Sequence, residues 1–261
     1  MYQSYVPLFA VLVSLLAVPL ILFSSKKRNV REFWTIAASF IKFGLVLSLI
    51  PGALANRAAE IKLFELSPGI KLALRADSFG VFFALIASGL WIFTSFYSIG
   101  YVRGLNEHKQ TRYFACFAVC LSATMGIAFS ANLLTFIVFY ETLTIATYPL
   151  VIHKETKVAI RAGRKYLVYT LSAGLLLIAG TLITYQLTGN IDFKAGGLFG
   201  SGILTPQTAT ILFLIFLGGV GVKAAIMPLH SWLPTAMAAP TPVSALPHAV
   251  AVVKSGVFGV I

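Results

Sequence analysis

The chain has 261 residues, of which 58% are hydrophobic and 11% charged. Its net charge is +12, yet the basic residues sit in short segments between long apolar runs. That placement excludes a nucleic-acid-binding role and points to topology signals and lipid contacts beside a membrane.

A run of about 20 apolar residues is enough to cross a bilayer. Eight such runs are predicted: Tyr5–Phe23, Phe33–Ala53, Phe79–Ile99, Thr111–Ser130, Leu133–Ile152, Lys165–Leu187, Thr205–Met227 and Thr241–Ile261. Their length predicts an all-α polytopic bundle, because lipid leaves the backbone few other options. The alternating pattern of a membrane β-barrel is absent.

The first run does not read as a signal peptide. No positive charge precedes it, and "KKR" follows where a small-residue cleavage site should stand. It is expected to stay in the mature chain. The second run carries Lys42 about eight residues from its start, within reach of the surface by snorkelling. Cys116 and Cys120 stand one helical turn apart in the fourth run. Two ligands on one helix do not make a zinc or iron–sulfur site, so both read as small apolar filler.

Basic residues are unevenly shared between the loops. The first loop holds Lys26, Lys27, Arg28 and Arg31, the third Arg103, Lys109 and Arg112, and the fifth Lys154, Lys157, Arg161, Arg164 and Lys165. The odd loops therefore carry 12 basic residues against 5 in the even ones. Positive loops stay cytoplasmic, so the N-terminus is expected outside, with a prokaryotic inner membrane as the setting. The two longest polar segments, Pro51–Ala76 and Thr188–Thr205, fall on the outer side. Within the second, "GGLFGSG" at Gly196–Gly202 reads as a flexible turn.

Of the acidic residues, Glu141 alone sits deep, about nine residues into the fifth run. At 1.5 Å per residue this is roughly 13 Å down, close to the bilayer midplane. An ionised group there costs about 2.5 kcal/mol or more, so it is either paired or functional. Thr144 and Tyr148 continue a polar stripe from it. Lys223 closes the apolar run of the seventh span, and Lys254 stands mid-span in the eighth, with His248 and Ser244 before it. Lys165, Tyr169 and Ser172 line the sixth.

One glutamate neutralises one lysine, not two. Burial disfavours the charged form of the excess cation, so that lysine is expected to be neutral part of the time. A lysine poised in this way can take up and release protons; a structural salt bridge is the competing reading. After Lys223 the sequence "AAIMPLHSWLP" brings Pro228, His230 and Pro234, and the prolines predict a broken helix. Such breaks occur at membrane depth only where they are buried in protein or line a wet cavity. His230 is either a hydrogen-bonding residue of that break or part of a proton path. "GGVGVK" lacks the spacing of a phosphate loop, and no Ser/His/Asp or paired-carboxylate arrangement is evident.

The segment "VKAAIMPLHSWLPTAMAAPTPVSALPHAVAVVKSGV" resembles the signature of the antiporter-like membrane subunits of respiratory complex I, membrane hydrogenases and Mrp-type cation/proton antiporters. "RADSFGVFFALI", "SFYSIGYV", the Glu141-bearing fifth span and "RKYLVYTLSAGLLLIAG" extend the resemblance from about residue 75 onward. "VKSGV" and "FYETLTIATYPLV" are similar to Mrp D-type and hydrogenase-linked members.

The resemblance implies three leading helices (residues 1–110), then the first of two inverted five-helix repeats (111–261). The second repeat is not in this chain, so translocation is expected to need the helices that complete it. The resemblance also implies proton-path roles for Glu141, Lys165, Lys223, His248 and Lys254. No redox cofactor, metal or bond chemistry is expected in the chain itself. Expected partners are other membrane subunits of a larger complex, lipid, and protons with sodium as coupled cation. A non-conducting membrane scaffold and an independent carrier of organic solutes are the alternatives.

Overall fold

The structure is a computed structural model describing residues 1–194, 196–199 and 204–261. In chain order its elements are β1 (Tyr2–Gln3), α1 (Val6–Phe23), α2 (Arg28–Leu47), α3 (Ile50–Leu54), β2 (Ala59–Ser67), β3 (Ile70–Ala76), α4 (Ser78–Gly104), α5 (Gln110–Ala128), α6 (Leu133–Val151), α7 (Lys157–Thr188) and α8 (Pro206–Lys223). A 3-10 turn (Leu229–Ser231), α9 (Trp232–Ala236), α10 (Thr241–Val243), a π-helical segment (Ser244–Val252) and α11 (Val253–Val260) complete it. Among the described residues, eight helices are long and apolar enough to span a membrane, the last running continuously from Thr241 to Val260.

Four spans begin where a short polar side chain caps the first turn. Asp77, Asn132, Thr156 and Thr205 accept from the backbone N–H three residues on, at 2.7–3.2 Å. Such caps satisfy donors that the helix cannot pair internally.

The chain is predominantly helical, with one addition. The segment Pro51–Ala76, read from sequence only as a long polar segment, forms β2 and β3, and with the N-terminal β1 these make a three-stranded sheet ordered β1-β2-β3. Ala59, Ile61 and Leu63 alternate with Glu60 and Lys62, a period of two, and Pro68–Gly69 makes the turn to β3, with Gly69 at φ 78°. In the "GGLFGSG" stretch, Gly196 and Gly197 take φ 87° and 93°, a backbone that glycine adopts without steric cost. Gly200–Gly202 lie outside the described residues.

Loops of the same parity meet. On one face Arg31 donates to Gln110 Oε1 (2.7 Å) and Thr111 Oγ1 (3.2 Å), and Arg103 binds both oxygens of Glu32. There too, Lys109 and Arg112 hold Glu155 at 2.6 and 2.8 Å and keep its carboxyl down to about 2. On the opposite face β1 pairs with β2, Lys71 bridges Asp192 at 2.7 Å, and Arg75 donates to Phe193 O at 3.0 Å. The first, third and fifth loops thus gather at one end, and the N-terminus and even loops at the other.

α5 is the hub, with 78% of its span buried. Its Ser122 donates to Val11 O of α1 at 2.7 Å, and the run Ala115, Ala118, Ala123, Gly126 keeps it thin enough for neighbours on every side. α2 is turned the other way from a soluble helix. Its polar residues Arg31, Glu32, Thr35, Ser39 and Lys42 are buried, while Phe33, Phe40, Ile41 and Leu47 face outward. Lipid reverses the usual preference, because polar groups find partners only inside the bundle.

Lys42 therefore does not snorkel, contrary to the sequence expectation. Its ammonium is fully buried, donates to Ser14 Oγ and to Leu121 O (3.0 Å), and lies 4.8 Å from the centre of the Trp91 ring.

Candidate functional site

The end of α8 sets the site. Ile226 N–H donates to Gly221 O (3.0 Å) and Ala225 N–H to Val222 O (3.1 Å), with Ala225 at φ 56°. This is a Schellman closure with Lys223 as the last helical residue. A left-handed alanine stores of order 1–3 kcal/mol, a strain found at functional sites more than elsewhere. Trp232 from α9 folds back and donates to Val222 O at 2.6 Å, so that carbonyl has a second partner.

The break therefore starts three residues before Pro228, and Pro228 stands at the N-cap of the 3-10 turn that follows. Pro234 breaks nothing. It occupies the first turn of α9, where a missing N–H costs no intrahelical bond. The sequence expectation that both prolines break the helix is corrected to this extent.

Lys223 has no exposed surface. Its ammonium donates to Tyr140 O and lies 3.3 Å from the centre of the Tyr140 ring. The same carbonyl also accepts from Thr144 Oγ1 at 3.2 Å, and the Tyr140 hydroxyl donates to Gly219 O at 3.1 Å. Among the described residues, no carboxylate oxygen comes within 4.0 Å of Lys223 Nζ. Glu141, next to Tyr140 in α6, points instead at α7. There Gly174 leaves the space that the carboxyl fills, since a Cβ at 174 would stand 2.7 Å from Glu141 Cδ. Both Glu141 oxygens are buried without a hydrogen-bond partner among the described residues.

Lys165 reaches the segment beyond the break. Its Nζ donates to Thr235 Oγ1 (3.3 Å) and lies 5.9 Å from the Tyr169 ring, whose hydroxyl pairs with Ser231 Oγ at 2.9 Å. Ser172, third in that stripe, faces outward. His230 sits in the 3-10 turn with Nδ1 buried and without a hydrogen-bond partner among the described residues. His248 is fully buried in the π-helical segment beside Pro247, with both ring nitrogens unpartnered among the described residues. π-helical turns often mark functional positions. Lys254 is exposed on the outside of the chain. Gly256 explains how the last span approaches the break: a Cβ there would lie 2.7 Å from the Lys223 carbonyl carbon.

The structure thus brings Lys223 against Tyr140, next to Glu141, and Lys165 against the broken segment. It does not join His248 or Lys254 to them by a direct hydrogen bond. Tyr140, Gly174, Trp232 and Ala225 stand inside the quoted motifs, but the sequence assigns them no individual role. Tyr140 carries a weak signal, its position beside the deep acid. Gly174 carries none, because its role lies wholly in the α6–α7 approach.

A family model described as NADH:quinone oxidoreductase/Mrp antiporter, transmembrane, matches residues 130–261. The chain is 30% identical over 241 residues to the probable K(+)/H(+) antiporter A/B protein of Rhizobium meliloti, covering 91% of this chain and 24% of that protein. It is 34% identical over 189 residues to NAD(P)H-quinone oxidoreductase chain 5 of Synechocystis, covering 70% and 27%. One chain of the archaeal membrane-bound sulfane sulfur reductase superposes with a TM-score of 0.87 at 19% identity, covering 98% of this chain and 52% of that one. The chain thus spans about a quarter of the length of these two curated relatives and about half of the solved chain.

Proposed function

The chain belongs to the NADH:quinone oxidoreductase/Mrp antiporter transmembrane family, and from that premise we propose that it translocates protons as one membrane component of a larger complex. The observation carrying this reading is a fully buried ammonium at a helix break, beside a buried carboxylate it does not touch.

Contact pairing would lock both charges in place. Separation leaves each able to change protonation while sensing the other. At 4 Å and an effective dielectric of about 20, two unit charges attract by about 4 kcal/mol; beyond contact the coupling is smaller, yet 1.4 kcal/mol still changes a proton occupancy tenfold. A proton arriving at Glu141 removes the negative charge that favours the Lys223 ammonium. Lys223 then releases its proton from Nζ, and its neutral amine can accept another. Lys165, His230, His248 and Lys254 supply relay positions on either side of the break.

On this reading α1, α2 and α4 are the leading helices, and α5 to the last span form the first repeat. The basic face of odd loops is cytoplasmic and the N-terminus outside, which the excess of Lys and Arg in those loops supports. Sodium is the coupled cation implied by the sequence resemblance, and potassium appears in the name of the Rhizobium relative. The D-type affinity rests on "VKSGV" and "FYETLTIATYPLV"; the relatives named above are of A/B type and chain 5 type.

The test uses the native complex in inverted membrane vesicles with a pH-sensitive dye. Lys223→Ala is expected to assemble and lose most proton uptake. Lys223→Arg is expected to fail as well, because a guanidinium does not release its proton. Full uptake by the arginine variant would remove proton switching at this position.

A further inference from the structure

A second group of ionisable side chains lies away from the proton site, where the loop after α4 meets the loop after α6. Glu107, His108 and His153 each offer one ligand atom there, all within 4.8 Å of one another. Glu107 Oε2 is 3.7 Å from His153 Nε2 and 4.0 Å from His108 Nδ1. A tetrahedral ion with bonds of ~2.1 Å holds its ligands about 3.4 Å apart, so the two Glu107 separations close by roughly half an ångström or less, and the wider one, up to 4.8 Å, by a movement of the exposed His108 side chain of about 1 Å.

His153 is the second, independent observation. Its side chain has no exposed surface, and both ring nitrogens lack a hydrogen-bond partner among the described residues. Buried polar groups are ordinarily satisfied, and one that is not calls for a partner. A stacked pair of imidazoles is the plainer reading: the His108 and His153 rings lie 5.0 Å apart at 26°. Stacking accounts for the ring faces and leaves the nitrogens unexplained. The Tyr113 ring meets His153 edge-on at 5.5 Å, but its hydroxyl is bonded to Ser98, so it offers no partner.

The surroundings match a metal centre. Lys109 and Arg112 occupy Glu155 Oε1, which leaves Glu107 as the carboxylate free of a Lys or Arg bridge among the described residues. Glu155 Oε2 stands 3.8 Å from His108 Nε2. An outer carboxylate on the far nitrogen is what orients a metal-bound histidine.

We propose that Glu107, His108 and His153 bind a divalent transition-metal ion, zinc by its preference for two imidazoles and a carboxylate with one open position, and so fasten the α4–α5 loop to the α6–α7 loop. Oxygen-seeking magnesium and calcium do not suit two nitrogen ligands.

The test compares tag-free native complexes extracted in mild detergent, stripped with EDTA and dialysed against zinc. Metal is counted per chain by mass spectrometry, and cobalt(II) replaces zinc as an optical probe. The unaltered complex is expected to hold one more zinc per chain than the His153→Ala complex. It is also expected to show visible cobalt bands that the variant lacks. His108 is exposed, so His108→Ala keeps the fold and decides the matter should His153→Ala fail to assemble; it is expected to lose the same zinc. Equal zinc content and equal cobalt spectra in the unaltered and His108→Ala complexes would overturn the proposal.

Discussion

The Lys223 ammonium rests on Tyr140, 3.3 Å from the centre of its ring and hydrogen-bonded to its carbonyl. The backbone bond survives any side chain at 140, whereas the ring does not. A desolvated cation on an aromatic face gains about 2 kcal/mol. Tyr140→Phe keeps the face and loses the hydroxyl bond to Gly219 O, worth about 1 kcal/mol. It is expected to retain most proton uptake in vesicles. Tyr140→Leu is expected to lose most of it while still assembling. Equal uptake by the two variants would mean that the ring does not hold the charge.

Gly174 governs the Glu141 carboxyl from another helix. A methyl group at 174 takes the space the carboxyl fills, and overpacking of this kind costs about 1–3 kcal/mol. Gly174→Ala is expected to reduce uptake about as far as Glu141→Gln, with less effect on assembly. Glu141→Asp shortens the side chain by one methylene. The double variant Gly174→Ala/Glu141→Asp is therefore expected to recover part of the uptake that Gly174→Ala loses.

Lys42 is a buried cation with polar partners but no carboxylate contact among the described residues. Replacing buried charge by a well-packed apolar group of similar volume is often neutral or stabilising by about 1–4 kcal/mol. Lys42→Met is expected to match or exceed the thermal stability of the unaltered protein in detergent. Lys42→Ala is expected to fall below it by about 2–4 kcal/mol through the cavity it opens. A Lys42→Met protein that melts well below the original would show that the ammonium's bonds outweigh its desolvation.

Glu32 holds α2 to α4 through Arg103, and it lies beside Arg31, which is buried. Removing the carboxylate leaves the Arg31 guanidinium buried without a counter-charge, at a cost of about 3–5 kcal/mol. Glu32→Gln is expected to lower the melting temperature sharply. Arg103→Ala removes a half-exposed partner and is expected to lower it much less. Thermal unfolding followed by tryptophan fluorescence separates the two outcomes.

Sequence alone determined the spans, because the length of an apolar run and the thickness of a bilayer are both one-dimensional quantities. All eight predicted runs overlap a long helix of the structure. It also picked out Glu141 and Lys223 as ionisable groups within apolar runs, and the structure buries the Glu141 carboxyl and the Lys223 side chain. The β2–β3 hairpin left a sequence signal too, in the alternation Ala59-Ile61-Leu63 and in Pro68–Gly69. What only the tertiary structure decided was partnership. Rotation of α2 turned Lys42 into the bundle instead of toward the surface. The approach of α7 at Gly174 drew the Glu141 carboxyl away from α8, leaving Lys223 to Tyr140. The folding back of two loops set His153 beside Glu107 and His108. Each outcome depends on how helices rotate and how closely they approach, and a linear pattern fixes neither until every neighbour is in place.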